Sequence, residues 1–347
     1  MRVGFDVAAL AQPHSRGVER VVRGLVEALE RRAVLDVVRL VPDGTTDLRR
    51  WRQRELPRSV ARFSLSGLHS FTSAFPLLGP GARVQTIHEL PWRHGVRENA
   101  DLRHRLWASL ATRRAARIVC PSEHVARDLA RSRWVPRERV QVIPWGVPAG
   151  FAERAPAGTI DEVVLDRHRL GTEPFLLAPG AVRAKKDLAA LLRGLAERKR
   201  RGANALVAVV TGPETRELRA DLGLASRLGL ARWTSTVGEL EAEELPPLYR
   251  LASAVVLLSR SEGFGFPALE ALASGTPVLV PHGSAQAEVA GSAAIAVDPA
   301  SAASVADGLE RALSDRPRLA ALGLERARSF TWDAAAERVE ALWRGIG

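Results

Sequence analysis

The stretch Ala254-Val255-Val256-Leu257-Leu258-Ser259-Arg260-Ser261-Glu262-Gly263-Phe264-Gly265-Phe266-Pro267-Ala268-Leu269-Glu270-Ala271-Leu272-Ala273-Ser274-Gly275-Thr276-Pro277-Val278-Leu279-Val280 reads as strand, loop, helix and strand. Residues 254–258 are a continuous apolar run that fits a buried strand. Gly263 and Gly265 let the backbone turn tightly and lie close to a ligand. Pro267 suits the first helical position and Gly275 the C-terminal cap, so the spacing predicts a helix from about Pro267 and a new strand over 277–280. Outward from this unit the same alternation recurs. Further strands are expected at 2–8, 36–41, 83–87, 117–120, 140–143, 175–179, 205–211 and 294–297. Amphipathic stretches such as 17–31, 101–115, 187–200 and 302–314 lie between them. Strands alternating with helices imply an α/β fold with parallel sheets covered on both faces.

The length of 347 residues and an apolar share of 46% suit two domains, each with its own core. The break is expected after Ile143-Pro144-Trp145-Gly146-Val147-Pro148, with an irregular stretch to about residue 172. The expectation is thus two doubly wound domains, 1–150 and 151–330, facing a central cleft. Residues 331–347 form a terminal helix, capped at Phe330-Thr331-Trp332, that packs back toward the first domain. No apolar run approaches the roughly 18 residues of a membrane-spanning helix. The first residues read as a strand and not as a signal peptide, and the single Cys120 supplies neither a disulfide nor a metal cluster. A cytoplasmic setting is expected.

The net charge of +11 is unevenly spread. Residues 1–150 carry 26 arginines against 14 acidic residues, whereas 151–347 carry 24 basic against 25 acidic residues. Codon bias toward arginine acts on both halves alike, so it does not explain the asymmetry. The first half is expected to face something anionic, such as a membrane surface or a lipid diphosphate. Within it, residues 93–117 hold seven arginines and two acids, with Leu102, Leu106 and Leu110 four apart and Trp107 beside them. Two readings stay open: an ordinary helix with leucines inward, or an interfacial helix on anionic lipid. Nucleic acid is a poor candidate partner, because no basic-aromatic or zinc-spaced motif accompanies the charge.

The chemistry concentrates in the loop before Pro267. Backbone N–H groups over about Phe264 to Ala268, aimed from a helix N-terminus, make an anion site. Glu262 precedes the loop and Glu270 is placed at the first turn of the helix. A carboxylate is repelled by phosphate, so each is expected to reach past it to a hydroxyl-rich group, Glu270 toward a ribose and Glu262 toward a sugar.

The run Glu262 to Pro277, with seven residues between its two glutamates, resembles glycosyltransferase family 4, the retaining enzymes of the GT-B fold. The resemblance extends over nearly the whole chain and is strongest from 174 to 300. Ala178-Pro179-Gly180-Ala181-Val182-Arg183-Ala184-Lys185-Lys186-Asp187-Leu188 is similar to the family's glycine turn and lysine segment, which implies that Lys185 and Lys186 clamp a donor diphosphate. Where some relatives have arginine after the glycine this chain has Ala181, and Arg183 is the substitute. Two of only three lysines lie here among 47 arginines, which indicates that a compact ammonium is wanted. Thr236-Val237-Gly238-Glu239-Leu240 looks like the base-binding loop, with backbone near Val237 meeting the nucleobase. Glu288-Val289-Ala290-Gly291 and Val297-Asp298-Pro299 match the family's ending. Thr86-Ile87-His88-Glu89 is similar to the strand-end histidine-acid pair, whose histidine points toward the donor sugar; Glu89 replaces the usual aspartate. Ser15-Arg16-Gly17-Val18-Glu19-Arg20 stands at the glycine loop after the first strand, with one glycine where many relatives have two.

The resemblance implies two Rossmann-like domains: an N-terminal acceptor domain and a C-terminal domain for the nucleotide diphosphate sugar. It implies retention without a metal or other cofactor, since no Asp-x-Asp pair is present. The catalytic residues carried over are His88, Glu262 and Lys186. The donor-binding set is Gly17, Arg183, Lys185, Lys186, Val237, Glu262, Gly263, Phe264, Gly265, Phe266 and Glu270. A lipid-linked or otherwise anionic acceptor, peripheral association with the inner membrane face, and mannosyl or rhamnosyl transfer in polysaccharide or glycoconjugate synthesis are the finer expectations. The competing readings are a GT-B epimerase or phosphorylase and, of another class, a non-catalytic sugar-nucleotide or nucleic-acid binder.

Overall fold

Short strands built mostly from continuous apolar runs are what parallel sheets buried on both faces require. In the first half they are β1 (Arg2–Asp6), β2 (Asp36–Leu40), β3 (Gly67–Ser70), β4 (Ala82–Thr86), β5 (Arg117–Cys120) and β6 (Val140–Val142). In the second they are β7 (Phe175–Ala178), β8 (Val207–Thr211), β9 (Thr234–Gly238), β10 (Ala254–Val256), β11 (Val278–Pro281) and β12 (Ala294–Val297). The computed structural model describes residues 1–11, 16–42, 44, 47–72, 76–96, 102–132, 135–151, 160–171, 173–204 and 206–346. It comprises two units, Met1–Gly146 with Phe330–Gly347, and Val147–Ser329.

Each unit has one six-stranded parallel sheet, ordered β2-β1-β3-β4-β5-β6 in the first and β12-β11-β10-β7-β8-β9 in the second. In the first sheet the chain steps from β1 to β2 and then crosses to β3 on the other side. In the second it runs β7, β8, β9 outward before crossing to β10. Strand order therefore reverses between β1 and β3 and between β7 and β10. In open α/β sheets the carboxyl ends of the strands at such a reversal form the ligand crevice.

The helices Arg16–Arg32, Leu102–Arg114, Leu188–Arg200 and Ala302–Ser314 lie where the apolar periodicity places them. The last helix, Trp332–Arg344, is capped by the Thr331 hydroxyl, which accepts from the Ala334 amide at 3.1 Å. Within the first unit it packs on the helix Arg16–Arg32. A Cβ on Gly24 would lie 2.3 Å from the Trp332 ring, so glycine there makes room for the indole. Arg32 donates twice to Glu340, at 2.9 and 3.1 Å, across the same contact.

The structure departs from the sequence expectation in three places. β3 and β9 are strands that the apolar pattern did not mark. The stretch after residue 148, expected to be irregular to about 172, contains the helix Ile160–Arg167; residues 152–159 and 172 lie outside the described residues. That helix packs against Leu245–Leu251 and buries Val164, while Arg167 and the adjoining His168 reach Glu244 at 2.6 and 3.2 Å.

Candidate functional site

β7 and β10 pair side by side at the reversal of the second sheet, and the loops that follow them are tied together. The Arg260 amide donates to the Lys185 carbonyl at 2.8 Å, and the Arg260 guanidinium donates to Asp187 Oδ2 at 3.1 Å. Asp187 has φ 48° and ψ 49°, a left-handed conformation that is costly for a residue other than glycine and is held by this tie. It caps the helix Leu188–Arg200 without a side-chain cap bond, its carboxylate being turned to Arg260. The Lys186 amide donates to the Arg183 carbonyl at 2.8 Å, closing the turn that presents both lysines. Gly180, Lys186, Asp187 and Ser259 line a small pocket at this reversal.

Two ammonium charges converge on Glu262. Lys186 Nζ donates to Glu262 Oε1 at 2.9 Å, and Lys185 Nζ stands 3.7 Å from Oε2. Burial alone would raise the pKa of this carboxyl. The ammonium charges of Lys186 and then Lys185 outweigh burial and hold it below its ordinary value. Glu262 is therefore ionised at neutral pH, and the trio carries a net single positive charge. An ammonium has three N–H donors, so the bond to Glu262 uses one of those on Lys186.

The neighbouring helix spans Phe266–Ala273 and starts from Gly265 at φ 95°. Only glycine fits there, since a Cβ would come within 2.6 Å of Gln286 Cγ. Phe264 is buried and its ring meets that of Phe266 edge to face at 5.3 Å; Gly263 is also buried. The helix ends in a glycine cap, with the Gly275 and Thr276 amides donating to the Leu272 and Ala271 carbonyls.

Two expectations are corrected here. The amides of Ala268 and Leu269 donate to the Gly265 carbonyl at 2.9 and 3.2 Å, so Ala268 offers no donor to an anion. Glu270 is not in the first turn: the helix begins one residue before Pro267, which makes Glu270 its fifth residue. Its side chain is 1% exposed, and Oε2 accepts from the Tyr249 hydroxyl at 2.7 Å.

The carboxyl ends of β7, β8 and β9 are stitched into one shelf. The Gly180 amide donates to Thr211 Oγ1 at 2.8 Å, and the Gly212 amide donates to the Gly238 carbonyl at 2.6 Å. Gly212 has φ 107°, and a Cβ on it would stand 2.7 Å from the Ala181 nitrogen, so this backbone approach needs glycine. Thr211, Gly212, Tyr249 and Asp187 were not singled out in the sequence. A strand ending in Thr211-Gly212-Pro213 was the available signal for the first two. Val237 lies in the edge strand β9, not in a loop, and Arg183 is exposed.

In the first unit, His88 follows β4 and helps line a pocket with Val18, Phe71, Thr86, Glu89 and Trp92. His88 Nε2 lies 3.1 Å from the Phe71 carbonyl. Burial lowers the His88 pKa to about 4 despite this hydrogen bond, so the ring is neutral at physiological pH. A carbonyl only accepts, so Nε2 carries the proton and Nδ1 is left as an acceptor. Gly17 is the second residue of the helix Arg16–Arg32 and not part of a loop; Ser15 lies outside the described residues.

Residues 165–329 match the family described as Glycosyl transferases group 1, and residues 39–151 match Glycosyltransferase Family 4. The chain belongs to glycosyltransferase family 4. D-inositol 3-phosphate glycosyltransferase of Nocardia farcinica is 33% identical over 251 residues, which cover 67% of this chain and 54% of that protein. O-antigen chain mannosyltransferase B of Escherichia coli is 26% identical over 219 residues, covering 62% and 57%. The chain thus spans about half the length of the curated relatives it matches. Sucrose-phosphate synthase from Thermosynechococcus elongatus superposes with a TM-score of 0.79 at 20% identity, over 100% of this chain and 99% of that one. The fold is GT-B.

In this family 4 chain, the lysine-glutamate trio at the second sheet's reversal offers positive charge to an anion beside a carboxylate that accepts from hydroxyls. That combination matches a phosphorylated sugar better than a phosphate or a sugar alone.

Proposed function

We propose that this chain moves a sugar from a nucleotide diphosphate to an acceptor hydroxyl, with retention at the anomeric carbon and without a metal ion. The observation that carries the reading is the convergence of Lys185, Lys186 and Glu262 where β7 and β10 end. Lys186 and Lys185 take up the charge that develops on the departing diphosphate. The bond from the anomeric carbon to the phosphate oxygen breaks as the acceptor oxygen bonds on the same face. The acceptor's proton passes to the departing phosphate oxygen, so no protein nucleophile is needed. Glu262 accepts from hydroxyls of the transferred sugar, and His88 Nδ1 accepts from a sugar hydroxyl held by the first unit. Glu270, steadied by Tyr249, is assigned to the ribose, and backbone beside Val237 to the base.

The acceptor is proposed to be anionic or lipid-linked, and the sugar mannose or rhamnose. The Nocardia relative is named for an inositol phosphate and the Escherichia relative for mannosyl transfer, which agree with those assignments. A membrane-docked first unit is favoured by the helix Leu102–Arg114. Its Leu106 and Leu110 are 55% and 43% exposed, whereas Ala108 and Thr112 are buried, so these two leucines do not face a core. The side chains of Leu102 and Trp107, and residues 97–101, lie outside the described residues.

The test is a thermal-shift screen against UDP, GDP, dTDP and ADP sugars, beside the Lys186→Ala variant. A rise with one base that is lost in the variant is the expected result. A rise that survives Lys186→Ala would remove the lysine from donor binding, and no rise with any donor would return the chain to the non-catalytic readings.

A further inference from the structure

The amino ends of β4, β5 and β6 carry a feature that the transfer reading does not use. Arg83 is the second residue of β4, Arg117 opens β5 and Arg139 precedes β6, so parallel strands bring all three to one edge of the first sheet. Arg113 and Arg114, from the end of the helix Leu102–Arg114, join them around a pocket of about 530 Å³ that Ile346 also lines. No acidic residue lines it among the described residues. His88 leaves the opposite, carboxyl end of β4, roughly 15 Å away at a strand rise of about 3.3 Å per residue.

Arg83 is the informative member. Its Nε and one terminal nitrogen are buried and have no hydrogen-bond partner among the described residues. Burial, and then the charge of Arg114, lower its pKa. Two buried guanidinium nitrogens without an acceptor are unusual enough to call for a ligand, and like charges clustered around them raise the cost of leaving them bare. An oxyanion with several oxygens and more than one charge meets both needs, because guanidinium forks pair with phosphate two bonds at a time.

We propose that the arginine pocket at the amino edge of the first sheet is a second anion site, which binds a phosphate or diphosphate group apart from the donor site. The proposal does not rest on the transfer reading. The phosphate can belong to a soluble ligand or to a lipid headgroup, and the two sources separate experimentally.

Inorganic pyrophosphate is titrated into protein carrying Lys185→Gln and Lys186→Gln, which weakens phosphate recognition in the second unit. The thermal midpoint is expected to rise with pyrophosphate, and the rise to vanish when Arg83→Met and Arg117→Gln are added. Arg83→Met alone is expected to raise the midpoint without pyrophosphate, since it removes a half-buried charge with two buried nitrogens lacking an acceptor. If that variant fails to fold, Arg139→Gln at the half-buried rim is expected to weaken pyrophosphate binding several-fold. Flotation with phosphatidylglycerol vesicles identifies the source. Binding that depends on Arg83 and is competed by pyrophosphate assigns a headgroup, and pyrophosphate binding without such dependence assigns a soluble phosphate. The proposal is overturned if the pyrophosphate rise disappears with the lysine changes alone, or if it survives the arginine changes.

Discussion

Glu262 sits between two ammonium groups, and its charge sets both the stability and the chemistry of that corner. Glu262→Gln keeps the volume and removes the anion, leaving Lys185 and Lys186 facing each other. Because the folded pKa lies below the ordinary 4.5, the ion pair's stabilisation is fully present above that pH and is lost as pH falls through the depressed value. The variant is expected to lose about 2–3 kcal/mol at pH 7 by urea denaturation, with the gap to wild type closing in acid. Transfer should fall on the order of 100-fold, as for other lost positioning contacts. A second acid response belongs to His69, stacked between Phe5 and Phe71 at centroid distances of 5.4 and 4.8 Å. Burial, and then His88, lower its pKa to about 3, while His88 itself is near 4. The unfolded chain binds these protons from about pH 6.5 downward and the folded chain resists them, so stability falls as pH drops from 6.5 toward 4. His69→Phe is expected to remove about half of that slope in calorimetric midpoints; an unchanged slope would assign the acid response elsewhere. The lysines and Glu262 were legible as separate motif positions. Their mutual pairing was not, because 76 residues separate Lys186 from Glu262 and only the β7–β10 contact brings them together.

At the scale of elements, the reversal of the first sheet is pinned by charge. Asp6 ends β1 and Ser70 ends β3, and the helix Leu48–Arg62 supplies Arg52. Arg52 Nε and the Ser70 hydroxyl donate to Asp6 Oδ2 at 2.7 and 3.1 Å, and the Ala8 amide donates to Oδ1 at 3.2 Å. All three side chains are buried, so Asp6→Ala strands a buried arginine and is expected to cost about 3–5 kcal/mol in chemical denaturation. The pair Asp6→Ala with Arg52→Met should recover much of that loss; additive losses would mean that the charges do not act together. This pin was invisible in the sequence for the same reason that β3 was. Gly67-Leu68-His69-Ser70 has one strongly apolar residue, and two of its buried polar groups, His69 Nε2 and the Ser70 hydroxyl, pair with Thr86 and Asp6, far along the chain. β9, Thr234-Ser235-Thr236-Val237-Gly238, is an edge strand with a neighbour on one side only, so it needs no apolar run. The central strands β1, β4, β5, β7, β8, β10 and β11 announced themselves because parallel strands covered on both faces must be apolar on both.

At the scale of the molecule, the surplus of positive charge lies in residues 1–150, and the exposed leucines lie there too. Among the described residues no helix is long and apolar enough to cross a membrane. The docking proposed for this half is at a membrane surface. Two mechanisms make separable contributions. Each arginine near an anionic surface adds about 1 kcal/mol, and this fades over a Debye length of about 8 Å at physiological salt. Burying Leu106 and Leu110 in the acyl boundary adds roughly 1.5–3 kcal/mol each, which salt does not screen. Flotation is therefore expected to show binding to phosphatidylglycerol vesicles and little to phosphatidylcholine vesicles at about 0.15 M salt. Leu106→Ser with Leu110→Ser is expected to weaken binding at least 10-fold at every salt concentration, leaving the salt slope in place. Arginine changes on the same helix, such as Arg105→Gln, are expected to reduce the slope. If the leucine pair can be removed without loss, attraction is electrostatic alone and the helix does not enter the interface. If neither change matters, the first half's charge serves a soluble anionic acceptor, and the lipid-linked substrate falls with the membrane.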